Sequence, residues 1–110
     1  MSAEATVAFY GVRFPVSEDE ITALEERSHP RILEARQNGL KYYWGNFAAP
    51  NEEYALFIGD NLGILGVENE RRVQLSPEEL LARVQETNAK LKRAAIMQSP
   101  MLYLQWQPDA

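Results

Sequence analysis

Apolar residues crowd the start of the chain. Val7, Phe9, Tyr10, Val12 and Phe14 place apolar groups on both faces of an extended segment over 5–14, which predicts a central strand ended by Pro15. The period then changes from two to that of a helix. Ser17 with Glu20 three residues on forms a capping box, in which each side chain takes a backbone N–H that the first helical turn leaves over. Val16 and Ile21 flank it as a hydrophobic staple. Ile21 and Leu24 point inward, and the helix is expected to stop near Arg27, because the residue before Pro30 avoids the α region. Pro30 suits the first position of a second helix with Ile32, Leu33 and Ala35 on its apolar side, and Gly39 suits the left-handed stop. One helix kinked at His29-Pro30 is the other arrangement the pattern allows.

Positions 40–66 hold the densest aromatic stretch. Five of the nine Phe and Tyr residues (Tyr42, Tyr43, Phe47, Tyr54 and Phe57) lie here with Trp44. Aromatic and β-branched residues favour a pleated, half-buried surface. Two paired strands are predicted over 40–47 and 53–59, joined by the turn-forming run Ala-Ala-Pro-Asn-Glu-Glu. Gly59, Gly63 and Gly66 read as punctuation. A short strand over 62–67 would turn back through Asp60-Asn61, and another short strand would cover 71–75.

The capping device then recurs. Ser76 caps, Pro77 takes the first helical position and Glu79 closes the box. The helix runs to about Ala95 with a stripe of Leu80, Leu81, Val84, Leu91 and Ala95, interrupted by Thr87 and Asn88. Pro100 precedes a last strand over 101–106. The element order is strand, helix, strand, strand, helix, strand. This predicts a single α+β domain over 1–110. Its antiparallel sheet would carry the helices on one face, in the ferredoxin-like βαββαβ arrangement or a variant with extra short strands.

Composition narrows the function classes. The net charge of −5 and the scattered Lys and Arg argue against nucleic acid and anionic membrane as partners. No apolar run approaches the ~20 residues that span a bilayer. The N-terminus lacks the basic and apolar regions of a signal peptide. There is no cysteine, hence no disulfide, thiolate site or cysteine nucleophile. A cytoplasmic protein without cofactor is the expectation.

Motifs for chemistry are absent. The Gly-x-x-x-Gly-x-x-Gly spacing from Gly59 is not a dinucleotide fingerprint, and no phosphate loop or nucleophile elbow occurs. Asp60, Glu68 and Glu70 flank a glycine-rich turn and are the one oxygen-ligand candidate for a divalent cation, without a metal-loop spacing; no metal site is assigned. His29 stands alone beside a helix-starting proline, as a capping residue does. The aromatics carry the functional expectation. Adjacent side chains of a strand point to opposite faces, so Tyr42 and Trp44 would face the helices while Tyr43 and Phe47 face away. Rings on the helix-free face would be covered by another protein or a second copy of the chain. The expectation is a small protein-interaction or adaptor domain acting through an aromatic sheet face, with Tyr43, Trp44, Asn46, Trp106 and His29 as binding residues. A small-molecule binder or metal-independent enzyme with a pocket at a dimer interface is the alternative.

Overall fold

The structure is a computed structural model and describes residues 4–108; residues 1–3, which the signal-peptide reading concerns, and 109–110 lie outside them. β1 (Ala5–Pro15) leads through a 3₁₀ turn (Glu18–Glu20) into α1 (Ile21–Glu25) and α2 (Pro30–Gln37). Then follow β2 (Lys41–Asn46), β3 (Tyr54–Gly66), α3 (Pro77–Arg93) and β4 (Met101–Gln107). The chain is of the α+β class: its strands form one antiparallel sheet in the order β2-β3-β1-β4. β1 and β2 therefore run parallel with β3 between them, and β3 and β4 run parallel with β1 between them.

The glycine-rich middle departs from expectation. No reversal occurs at Asp60-Asn61, and no separate strands form over 62–67 or 71–75; β3 is one strand of 13 residues. A bulge absorbs Leu62, so that Phe9 pairs with Asn61 and Ala8 with Gly63. Gly59 is a packing residue. It sits opposite Gly11, and a Cβ on either would lie 2.1 Å from a carbonyl oxygen of the other strand. The next segment is held by Glu70, whose carboxylate accepts from Ile64 N at 3.1 Å and whose own N–H donates to Ile64 O at 3.1 Å.

The two N-terminal helices are separate. Arg27 takes a left-handed conformation (φ 59°) after α1, and His29 starts α2 as its N-cap. Gly39, at φ 71°, ends α2 as its spacing predicts. Ser76 and Glu79 close a full box on α3, with Glu79 N donating to Ser76 Oγ at 3.1 Å and Ser76 N donating to Glu79 Oε1 at 3.3 Å.

Two cores lie on the two faces of the sheet. On the helix face Val12, Phe14, Leu56 and Ile58 meet Leu24, Ile32, Ala35, Leu91 and Ala94, with Tyr42 and Trp44 packed against them. The buried line of α3 is rotated from the expected stripe. Thr87 and Leu91 are its buried residues, while Leu81 and Leu33 of α2 face solvent. On the other face Val7, Phe9, Phe47, Ala55 and Phe57 form a second buried cluster flanked by Tyr43 and Tyr103. Phe57 lies at its centre, 5.5 Å from the rings of Phe9 and Phe47 and 5.1 Å from Tyr103. No described helix covers this face. The sheet coils over it instead, so that Tyr43 on β2 hydrogen-bonds Gln107 on β4, the opposite outer strand. Gly45 leaves the space that Gln107 occupies.

Candidate interaction edge

β4 is an outer strand with one neighbour, β1, and its far edge is unpaired. Register fixes its faces. Tyr103 and Gln105 stand opposite Phe9 and Val7 and belong to the second cluster's face. Leu102, Leu104 and Trp106 stand on the face of Tyr10, whose hydroxyl donates to Asn88 of α3 at 2.6 Å. These three side chains are 51%, 70% and 49% exposed. Outer strands ordinarily carry charges, prolines or bulges that discourage pairing with another chain. Met101–Gln107 carries none of them; Pro100 and Pro108 stand just outside it. Near the head of β4, Leu91, Ile96, Met97 and Pro100 line a mainly apolar hollow of about 280 Å³.

The residues singled out from sequence do not converge. Trp44 packs on the helix-face core, and Tyr43 lies half-buried on the other face with its hydroxyl on Gln107. Burial pushes the Tyr43 pKa up, and the Gln107 bond opposes that. Asn46 braces the loop after β2: its Nδ2 donates to Asn51 O at 2.8 Å, and its Oδ1 accepts from Glu53 N at 2.9 Å and Ala48 N at 3.2 Å. His29 is buried, with Nδ1 accepting from Arg31 N at 3.1 Å and Nε2 3.0 Å from Glu20 Oε1. With Nδ1 as acceptor the ring proton sits on Nε2 and points at the carboxylate. That bond and the Ser17 N–H hold the Glu20 pKa below its ordinary value. Trp106 alone of the five stands on the exposed strip. Leu102 and Leu104 belong with it and were missed. Their signal was present: alternating large apolar residues in a terminal strand without a charge.

A polar cleft of about 750 Å³ lies beside the bulge of β3, lined among others by Lys41, Asp60, Asn61, Glu70 and Arg83. Two of its charged groups, Arg83 and Asp60, are committed to each other. Arg83 grips both oxygens of Asp60 at 2.6 and 2.9 Å and reaches Asn61 O at 3.2 Å. The Asp60 bonds raise the Arg83 pKa against a smaller opposing effect of burial. In an adjoining hollow of about 240 Å³ Lys90 donates to Gly39 O at 3.2 Å and pairs with Glu86 at 3.0 Å. Glu70 is occupied by Ile64 N, so Asp60 and Glu70 each serve a protein donor. Among the described residues no three His, Asp or Glu side chains form a group able to hold a metal ion.

The chain matches no known family, no curated protein and no solved structure. No described helix is long and apolar enough to cross a membrane.

Proposed function

We propose that this chain is a small protein-interaction domain whose docking surface is β4. The observation that carries the reading is an outer strand without charge whose Leu102, Leu104 and Trp106 are 49–70% exposed. Strand edges of this kind recruit partners by continuing the backbone ladder, while alternate side chains supply the apolar contacts. Of the rings first credited with that role, Tyr43, Trp44 and Phe47 pack against the chain's own cores, and Trp106 stays exposed. The alternative, a small-molecule binder or enzyme, has weaker support: in the polar cleft Arg83 and Asp60 bind each other and Glu70 serves a backbone N–H. The ferredoxin-like plan is supported by the two interleaved β–α–β units, each with a strand of the other unit in its middle. Absence of cysteine fits a cytoplasmic setting.

The test is a photo-activated cross-linker carried at position 104 in the host cell, compared with the same group at exposed Leu33 on α2. Capture of a defined protein from 104 and not from 33 is expected. Equal capture from both positions, or capture from neither, overturns the assignment of β4.

A further inference from the structure

We propose that the occupant of the β4 edge is a second copy of this chain. The two β4 strands pair antiparallel about a two-fold axis at Leu104, and Trp106 of each copy sits at the other's Leu91–Ile96–Met97–Pro100 hollow. The inference rests on reading β4 as the docking surface.

The first argument is the symmetry of the segment. Antiparallel pairing about Leu104 sets Leu104 opposite its own counterpart and Leu102 opposite Trp106 on one face. On the other face Tyr103 meets Gln105, while Gln107 stays buried against Tyr43 and Gly45 of its own β2 and leaves Met101 of the other copy outside it. Such a contact is isologous: each residue finds the partner its partner finds. The flanking prolines obey the same symmetry. Pro100 and Pro108 lie four residues either side of Leu104 and have no N–H to donate, so they close both ends of one seven-residue ladder. Sliding the register by two residues would set a proline against the ladder and lose this match.

Charge is the second argument. A chain of net charge −5 repels its own copy, and a two-fold contact brings like charges together wherever it includes one near the axis. Met101–Gln107 is uncharged, which suits self-pairing and offers nothing for an oppositely charged partner to recognise.

The hollow supplies the third. Pro100 directly precedes β4, so the hollow opens at the Leu102 end of the strip. In the proposed register that is where Trp106 of the other copy arrives, on the helix-bearing face. A Trp seated in an apolar pocket is the commonest kind of interface anchor. One local bond stands in the way. Gln105 Nε2 donates to Trp106 O at 3.1 Å and releases it if the ladder claims that carbonyl.

Light scattering across a dilution series tests the proposal. Wild-type chain is expected at twice the 12.5 kDa mass of one chain. Leu104→Asp, which sets two carboxylates on the axis, is expected to weaken the dimer by about 100-fold or more. Because the chain has no cysteine, Leu104→Cys introduces a single thiol that faces its own counterpart. Mild oxidation then yields a covalent dimer, whereas Leu33→Cys at the same concentration does not. Wild-type chain that is monomeric throughout overturns the proposal. So does a dimer indifferent to Leu104→Asp, or equal cross-linking from positions 104 and 33. A monomer whose photo-cross-linker at 104 captures a protein of another mass removes the second copy and spares β4 as docking surface. A monomer that captures nothing from 104 removes both.

Discussion

β2 and β4 are the two outer strands of one sheet, each with a single neighbour, yet one is covered and the other is bare. On the helix face β2 presents Tyr42 and Trp44, and both pack against the core under α2. On the same face β4 presents Leu102, Leu104 and Trp106 to solvent. The cause lies in where α3 is tied. Arg83 is held by Asp60 on β3, Asn88 by Tyr10 on β1, and Lys90 by Gly39 just before β2. Every one of these bonds draws α3 toward the middle of the sheet or its β2 side, and it packs on β1 and β3. The polar cleft is thus part of the reason β4 is bare. The exposure of β4 is maintained by polar bonds some distance from it.

The largest expected effect separates the buried face from the bare strip. Phe57 is fully buried and touches three other rings. Phe57→Ala is expected to lower stability by about 3–5 kcal/mol, as a core Phe deletion does. Leu104→Ala, assayed at a concentration where the chain is monomeric, is expected to change it by less than about 0.5 kcal/mol. Urea midpoints of the two variants check this. If Phe57→Ala costs as little as Leu104→Ala, the second cluster is not a core, and the coiled sheet loses its physical reason.

Next in size is the contact that joins the two outer strands. Tyr43→Phe removes the hydroxyl bonded to Gln107 and leaves a buried side-chain amide short of a partner. A loss of about 1–3 kcal/mol is expected, the range for stranding a buried polar group. Removing both partners is milder, so Gln107→Met placed on Tyr43→Phe is expected to recover part of the loss. No recovery would mean that the bond is incidental to the coiling.

How far these features were legible follows from their range along the chain. The caps at Ser17 and Ser76, the stop at Gly39 and the strand before Pro15 depend on residues a few positions apart, and the sequence displays them directly. The continuity of β3 was not legible. Gly59 and Gly63 look like turn residues until Gly11 is known to face Gly59. The buried line of α3 failed for a related reason. Thr87 was discounted as polar, but the bonds from Arg83, Asn88 and Lys90 set the helix rotation, and Thr87 then falls inward beside Leu91. The filled second face depends on a contact 64 residues apart, Tyr43 with Gln107, that no local pattern announces. His29 was legible as a cap, but its burial against Glu20 was not.

The smallest effect concerns pH, and it sets the charged β2 side against the uncharged β4. Glu20 has its pKa lowered in the folded chain by His29 and Ser17. Its stabilisation is therefore present above the unfolded glutamate value, about 4.3, and is lost as the pH falls through the folded value. Glu52 has its pKa raised by Glu18 alongside it. The sign reverses: the fold favours the protonated form, and that advantage is lost as pH rises through the raised value. Glu52→Gln is expected to raise the thermal midpoint slightly at pH 7 and to leave it unchanged below about pH 4, where the wild-type group is protonated as well. β4 carries no carboxylate, imidazole, amine or guanidinium. Pairing through β4 should then leave the solution mass constant as the pH falls from 7 toward about 4, the interval over which the unfolding midpoint moves. A mass that fell across that interval would put carboxylates into the contact, and β2, with its acidic flanks at Glu18, Glu52 and Glu53, would become the edge to examine.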